Sequence, residues 1–206
     1  MAAAKTPLSL PTHDLIRGAV ALFDKENFVA EQALTELFAL FPQNDNLPRI
    51  LLKVVALNRL YSTQIFAVMD MAQHIHQNRQ AIDGGLVSGD PKVVDLISKV
   101  TIQGKQHNFF SFASKYCSWH APHLFPLYDS RVDWYLRNLQ KQVRFDSSFT
   151  KNEFANYSEF RAMMVSLQKA FSLESFTFKE IDKFLWLYGT KANAMTHPPK
   201  PSAIEP

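Results

Sequence analysis

The segment Pro126-Leu127-Tyr128-Asp129-Ser130-Arg131-Val132 sets one carboxylate, Asp129, where an extended stretch gives way to a helical pattern. Aspartate at such a junction caps free backbone N–H groups of the first turn. Fixed there, beside Arg131 and near aromatic side chains, a carboxylate is also equipped for chemistry. It can stabilise positive charge on a reacting carbon, or orient and deprotonate a water. Asp133 lies one turn further on and is the rival acid. Tyr116, Trp119, His120 and Tyr128 supply aromatic faces with polar tips close to Asp129 in sequence. His120 and His123 flank Pro122 without a nearby acidic ligand, and His74 and His76 cannot chelate from one helical face, so no metal is assigned.

The elements that would carry these residues read as helices nearly throughout. Leu15, Ala19, Leu22 and Phe23 form one helical stripe, and residues from Ala30 to Phe41 repeat it before Pro42. A strongly apolar helix is expected from Leu47 to about Leu60, with Pro48 in its first turn. Ser62 or Thr63 is placed to cap a helix reaching about Gln80. Asp83-Gly84-Gly85 and Ser88-Gly89-Asp90-Pro91 read as turns, with Asp90 capping a short helix from Pro91 to Val100. Further helices are expected over about His107 to His120, Asp129 to Lys141, Tyr157 to Phe171 and Thr177 to Tyr188. No alternating run demands a sheet.

At 206 residues and 47% hydrophobic, the chain can bury a substantial core as one domain of one or two lobes, expected over residues 1–189. From about Thr190 the proline-rich end, 190–206, reads as a disordered tail. Six glycines disfavour phosphate loops, and Cys117 alone allows neither an internal disulfide nor a cysteine zinc cluster. No apolar run reaches membrane-span length and no signal peptide is legible, so a cytoplasmic location is expected. Arg131, Arg137, Lys141, Arg144 and Lys151 outnumber Asp133 and Asp146 over one strip, whose excess of three positive charges equals that of the whole chain. Such a strip is the footprint of a phosphate-contacting face, or simply a solvated helix face.

Two segments resemble the helix-hairpin-helix superfamily of DNA glycosylases. Val54 to Ile75, VVALNRLYSTQIFAVMDMAQHI, resembles the segment where a polar loop inserts into DNA and the next helix begins. Ile102 to Leu139 resembles the run from the hairpin to the catalytic aspartate, with Gly104-Lys105 standing for the hairpin and Asp129 for the aspartate. The chain also resembles a bacterial group carrying LNxxYST and KYCSWHxPxxFPIYDSxV, a likeness that implies no activity. The glycosylase resemblance implies an all-α, two-lobed fold acting on DNA, double-stranded with an extruded base. It implies a monomer without cofactor, with Asp129 as the catalytic carboxylate in hydrolysis of an N-glycosidic bond.

On that resemblance Asn58, Leu60, Tyr61 and Ser62 fall on the inserting segment, with Leu60 and Tyr61 as the wedge that fills the vacated stack. Trp119 or Tyr128 would stack on the extruded base and His120 would read its edge. Lys105 and Lys115 are candidate amines for Schiff-base chemistry, with phosphate or solvent contact the expected role. Arg131, Arg137 and Lys141 would hold the DNA backbone. The resemblance also implies removal of a damaged or modified base, in repair or in defence against phage with modified DNA. The alternatives are an inactive nucleic-acid-binding module of the same fold and an enzyme acting on a nucleotide or other small substrate.

Overall fold

The computed structural model describes the backbone of residues 7–149, 154 and 156–196, with side chains as far as Gly189 in the last helix. Among these residues the chain is mostly helical: α1 (His13–Leu40), α2 (Leu47–Tyr61), α3 (Val68–Gln77), α4 (Arg79–Ser88), α5 (Lys92–Ser98), α6 (Phe110–His120), α7 (Ser130–Val143), α8 (Tyr157–Ala170) and α9 (Phe178–Thr196). A hairpin of β1 (Lys99–Ile102) and β2 (Lys105–Asn108) lies between α5 and α6. Lys151 and residues 197–206 lie outside the described residues, and α9 runs on past Thr190, where a tail was expected.

Local chemistry sets most of the boundaries. Thr12 caps α1, its Oγ1 accepting from the Leu15 N–H at 3.4 Å. The two stripes expected between residues 15 and 41 fuse into one helix of 28 residues, because no proline or glycine interrupts them between Phe23 and Ala30. Asn46 caps α2, with Pro48 in its first turn, and Ser62 closes it in a left-handed conformation. That conformation prevents Ser62 from starting the next helix, and α3 begins only at Val68. Asp83-Gly84-Gly85 is helical rather than a turn. Ile82 and Leu86, one turn apart, are both buried, which outweighs a glycine cost of about 1 kcal/mol per residue.

The β-hairpin escaped the sequence pattern because every residue of β2 is exposed, so nothing alternates. Its turn has φ of 49° at Gln103 and 75° at Gly104, the two positive values that match the twist of paired strands. Gly104-Lys105 therefore belongs to a β-hairpin and not to a loop joining two helices.

The helices pack in two groups around one continuous core. Helices α7 and α9 form one group with α1; α2 to α6 and α8 form the other, which α1 also touches through α2 and α6. The seam between α7 and α9 is tight at one point. A Cβ on Gly189 would lie 2.8 Å from the Arg131 carbonyl oxygen, so only glycine lets α9 come this close to the start of α7. No described helix is long and apolar enough to cross a membrane.

Candidate active site

Asp129 is held from three sides. The buried Tyr157 hydroxyl donates to the Pro126 carbonyl at 2.5 Å and ties the segment before Asp129 onto α8. Asp129 itself is extended and caps α7, its Oδ1 accepting from the Arg131 N–H at 2.7 Å. Its Oδ2 lies 3.9 Å from the Lys115 ammonium, which rises from α6 and is only 1% exposed. Lys115 also donates to Ser111 Oγ at 2.6 Å and to the Tyr128 carbonyl at 2.9 Å. Burial pushes the Lys115 pKa down, and the neighbouring Asp129 charge opposes that shift. Capping and chemistry are thus compatible. One oxygen orders the helix start, and the carboxylate remains part of a cavity wall.

That cavity has a volume of about 370 Å³ and opens between the two helix groups. The end of α2 contributes Leu60, Tyr61 and Ser62, and the end of α6 contributes Ser118 and Trp119. Asp129 and Arg131 form a third side. Glu31 of α1 and Lys179, Asp182, Lys183 and Trp186 of α9 complete it. The aromatic walls carry cations on their faces. Lys179 Nζ sits 3.6 Å from the centre of the Trp119 ring, and the Arg131 guanidinium lies 4.6 Å from that of Trp186. Trp119 Nε1 donates to the Tyr61 hydroxyl at 3.1 Å. Burial, then Glu31, raises the Tyr61 pKa, so its hydroxyl stays protonated.

The charges inside are unequally matched. Lys179 pairs with Glu31 at 2.8 Å, and Lys183 pairs with Asp24 while lying 3.4 Å from Glu31. Asp182 is 9% exposed, and its Oδ1 has no hydrogen-bond partner among the described residues. Burial, and after it the negative charge of Asp129, push the Asp182 pKa up to about 8. At neutral pH this carboxyl therefore holds its proton while facing the same cavity as Asp129.

The cavity gathers Asp129, Leu60, Tyr61, Ser62, Trp119 and Arg131 from the sequence expectation. Other expected contacts go elsewhere. Asn58 is turned inward, its amide donating to the Ile65 carbonyl and its Oδ1 accepting from Thr63 and Ile65, so it orders a loop. Tyr61 lies within the wall, with Trp119 on its hydroxyl, and cannot be an inserting wedge; Leu60, 48% exposed, can. His120 packs against Phe38 and Tyr116 with its Nε2 3.2 Å from Lys53 Nζ, outside the cavity. Burial, with Lys53 next, lowers its pKa to about 3. The Tyr128 ring packs edge-on to Phe110 and Phe160, so it is no stacking platform in the cavity. Lys115 is too deeply buried to meet phosphate or solvent, whereas Lys105 is exposed on β2 and away from the cavity.

The basic strip also divides. Arg137 bonds to Asp133 at 2.7 Å and lies over Phe154 at 4.6 Å, so it is spent within the fold together with the rival acid. Lys141 and Arg144 are exposed. The residues missed in the sequence are Glu31 and the α9 set. Nothing in the sequence sets Lys179, Asp182 and Lys183 apart from the polar face of an amphipathic helix.

Comparison with known proteins gives a family and a relative. The family model HI_0787_N, an N-terminal domain, matches residues 15–124. An uncharacterized protein of Haemophilus influenzae is 41% identical over 132 residues, which cover 64% of this chain and 62% of that protein. The match thus spans less than two thirds of the relative's length. No solved structure matches the chain. The matched domain includes Glu31, Tyr61, Lys115 and Trp119, while Asp129 and the α9 residues lie beyond it.

Proposed function

The chain belongs to the HI_0787_N family through residues 15–124, and we propose from the geometry of its cavity that this domain and the helices following it form an enzyme hydrolysing the N-glycosidic bond of a base in DNA. Asp129 is its reacting carboxylate. The observation carrying this reading is the position of Asp129. It is ordered by a cap and by a buried lysine, in the wall of a cavity that also presents Trp119 and Trp186. Loss of the base leaves positive charge on C1′. A fixed carboxylate stabilises that charge and takes a proton from the attacking water. Aromatic walls suit a planar base, and Arg131 offers charge to a flanking phosphate.

The same observations favour hydrolysis over lysine attack at Lys115. That amine lies behind the carboxylate, bonded to Ser111 and Tyr128, and forms no part of the cavity wall. A two-lobed glycosylase-like architecture is the corresponding fold proposal, supported by a cleft between two helix groups. The test is incubation with duplex DNA containing uracil, hypoxanthine, 8-oxoguanine or 7-methylguanine, and with modified phage DNA, followed by alkaline cleavage at abasic sites. Base release is expected from the wild type, with a loss of a hundredfold or more, on the order of magnitude for a central electrostatic group, in Asp129→Asn. Full activity of Asp129→Asn would refute the assignment and leave Asp129 as a cap alone.

A further inference from the structure

Beside Asp129 and the lysine-paired Glu31, the cavity holds a carboxyl that charge stabilisation at C1′ leaves without a task. Asp182 is nine-tenths buried, lines the cavity from α9, and has an oxygen with no hydrogen-bond partner among the described residues. A buried unpaired carboxyl is costly, and a fold that needed only packing there would gain by replacing it with an apolar residue. Lysines stand on the same helix, yet they are engaged elsewhere: Lys179 by Glu31, and Lys183 by Asp24.

We infer that Asp182 is the general acid of the reaction, donating its proton to the departing base while Asp129 receives a proton from the attacking water. The inference rests on the N-glycosidase reading above. As the C1′–N bond breaks, its electron pair passes to the base, and a ring nitrogen or exocyclic oxygen of the base takes the Asp182 proton. Water adds to C1′ and gives its proton to Asp129. The products are the free neutral base and an abasic sugar. Asp182 ends ionised and Asp129 protonated, and exchange with solvent restores both.

The surroundings of the two acids differ. Glu31 from α1, Tyr61 from α2, Asp129 at the cap of α7, Arg131 within α7, and Lys179 and Lys183 from α9 itself face this space, and the Lys115 charge of α6 acts on it from behind Asp129. Lys115 lies 3.9 Å from Asp129, whereas Asp182 forms no ion pair that close among the described residues. Two titratable groups whose environments separate their protonation states mark an acid–base pair.

The test is single-turnover base release against pH, on the DNA that the wild type cleaves. A bell-shaped profile with a basic limb near pH 8 is expected. Asp182→Asn should lower the plateau by roughly a hundredfold and abolish the basic limb, while Asp182→Glu restores part of both. Circular dichroism and thermal melting confirm that each variant is folded. An unchanged basic limb with a rate within about threefold of the wild type would overturn the inference while leaving the Asp129 reading intact. No release by the wild type from any DNA tested overturns the parent reading, and this step with it.

Discussion

Asp182→Asn should make the protein more stable, by an amount that depends on pH in a calculable way. The folded protein holds this carboxyl protonated up to about pH 8, whereas the unfolded chain ionises it near 3.8. Because the folded pKa is raised, the stability contributed by Asp182 is complete below the unfolded value and is lost as pH rises towards 8. Each unit in that window removes about 1.4 kcal/mol. Asparagine has a similar shape and no charge to avoid. At pH 7 it should gain up to roughly 4 kcal/mol over aspartate, and about half of that if water and the nearby lysines relax around the charge. Other groups titrate in the same range, notably His120, lowered to about 3, and Lys53, lowered to about 8. They are common to both proteins and cancel in the difference. Urea unfolding of wild type and variant at several pH values between 5 and 9 gives that difference directly. It should widen from pH 5 to pH 8 and then level off. A difference constant within about 0.5 kcal/mol would mean that Asp182 is not held protonated, and the reasoning from burial would fail.

Borohydride trapping on DNA should yield no covalent adduct, since water is the expected nucleophile; an adduct that disappears in Lys179→Ala would instead make Lys179, one of two lysines lining the cavity, the attacking group. The two basic residues at helical spacing on α7 should separate. Arg137→Glu breaks the pair with Asp133 and the contact with Phe154, and should cost roughly 2 kcal/mol in urea unfolding. Lys141→Glu, on an exposed site, should leave stability within about 0.5 kcal/mol and lower the log–log salt slope of DNA binding by about one unit. If Lys141→Glu proves the destabilising change, or leaves DNA affinity untouched, the assignment of these faces is wrong.

The features that could be read from sequence were those decided locally. Asp129 announced itself through a cap position after an extended stretch, and Pro48 marked the first turn of α2, whereas Ser62, expected to start the next helix, closes α2 instead. Tyr61 and Trp119 were recognisable as site aromatics, but their roles depended on each other across 58 residues. Asn58, His120 and Arg137 turn away from the cavity for one reason. Each side chain offers a polar group, and a partner inside the fold claims it first. Half of the cavity was invisible because α1 and α9 meet through pairs such as Lys183 with Asp24, 159 positions apart. Read alone, Lys179, Asp182 and Lys183 look like the solvated side of an amphipathic helix.

Asn58 bears on how fast a ligand can be captured. Its one side chain fastens residues 63 and 65, and Ser62 and Gln64 adopt left-handed conformations on either side of that knot. The knot ties to the last turn of α2, within the chain and apart from any ligand. The loop carrying the fully exposed Phe66 is therefore ordered before encounter. A partner meeting this loop does not have to wait for a segment to fold, nor offset the entropy of ordering one. Association there should proceed as between rigid surfaces, with its rate set by diffusion and by the surrounding charge.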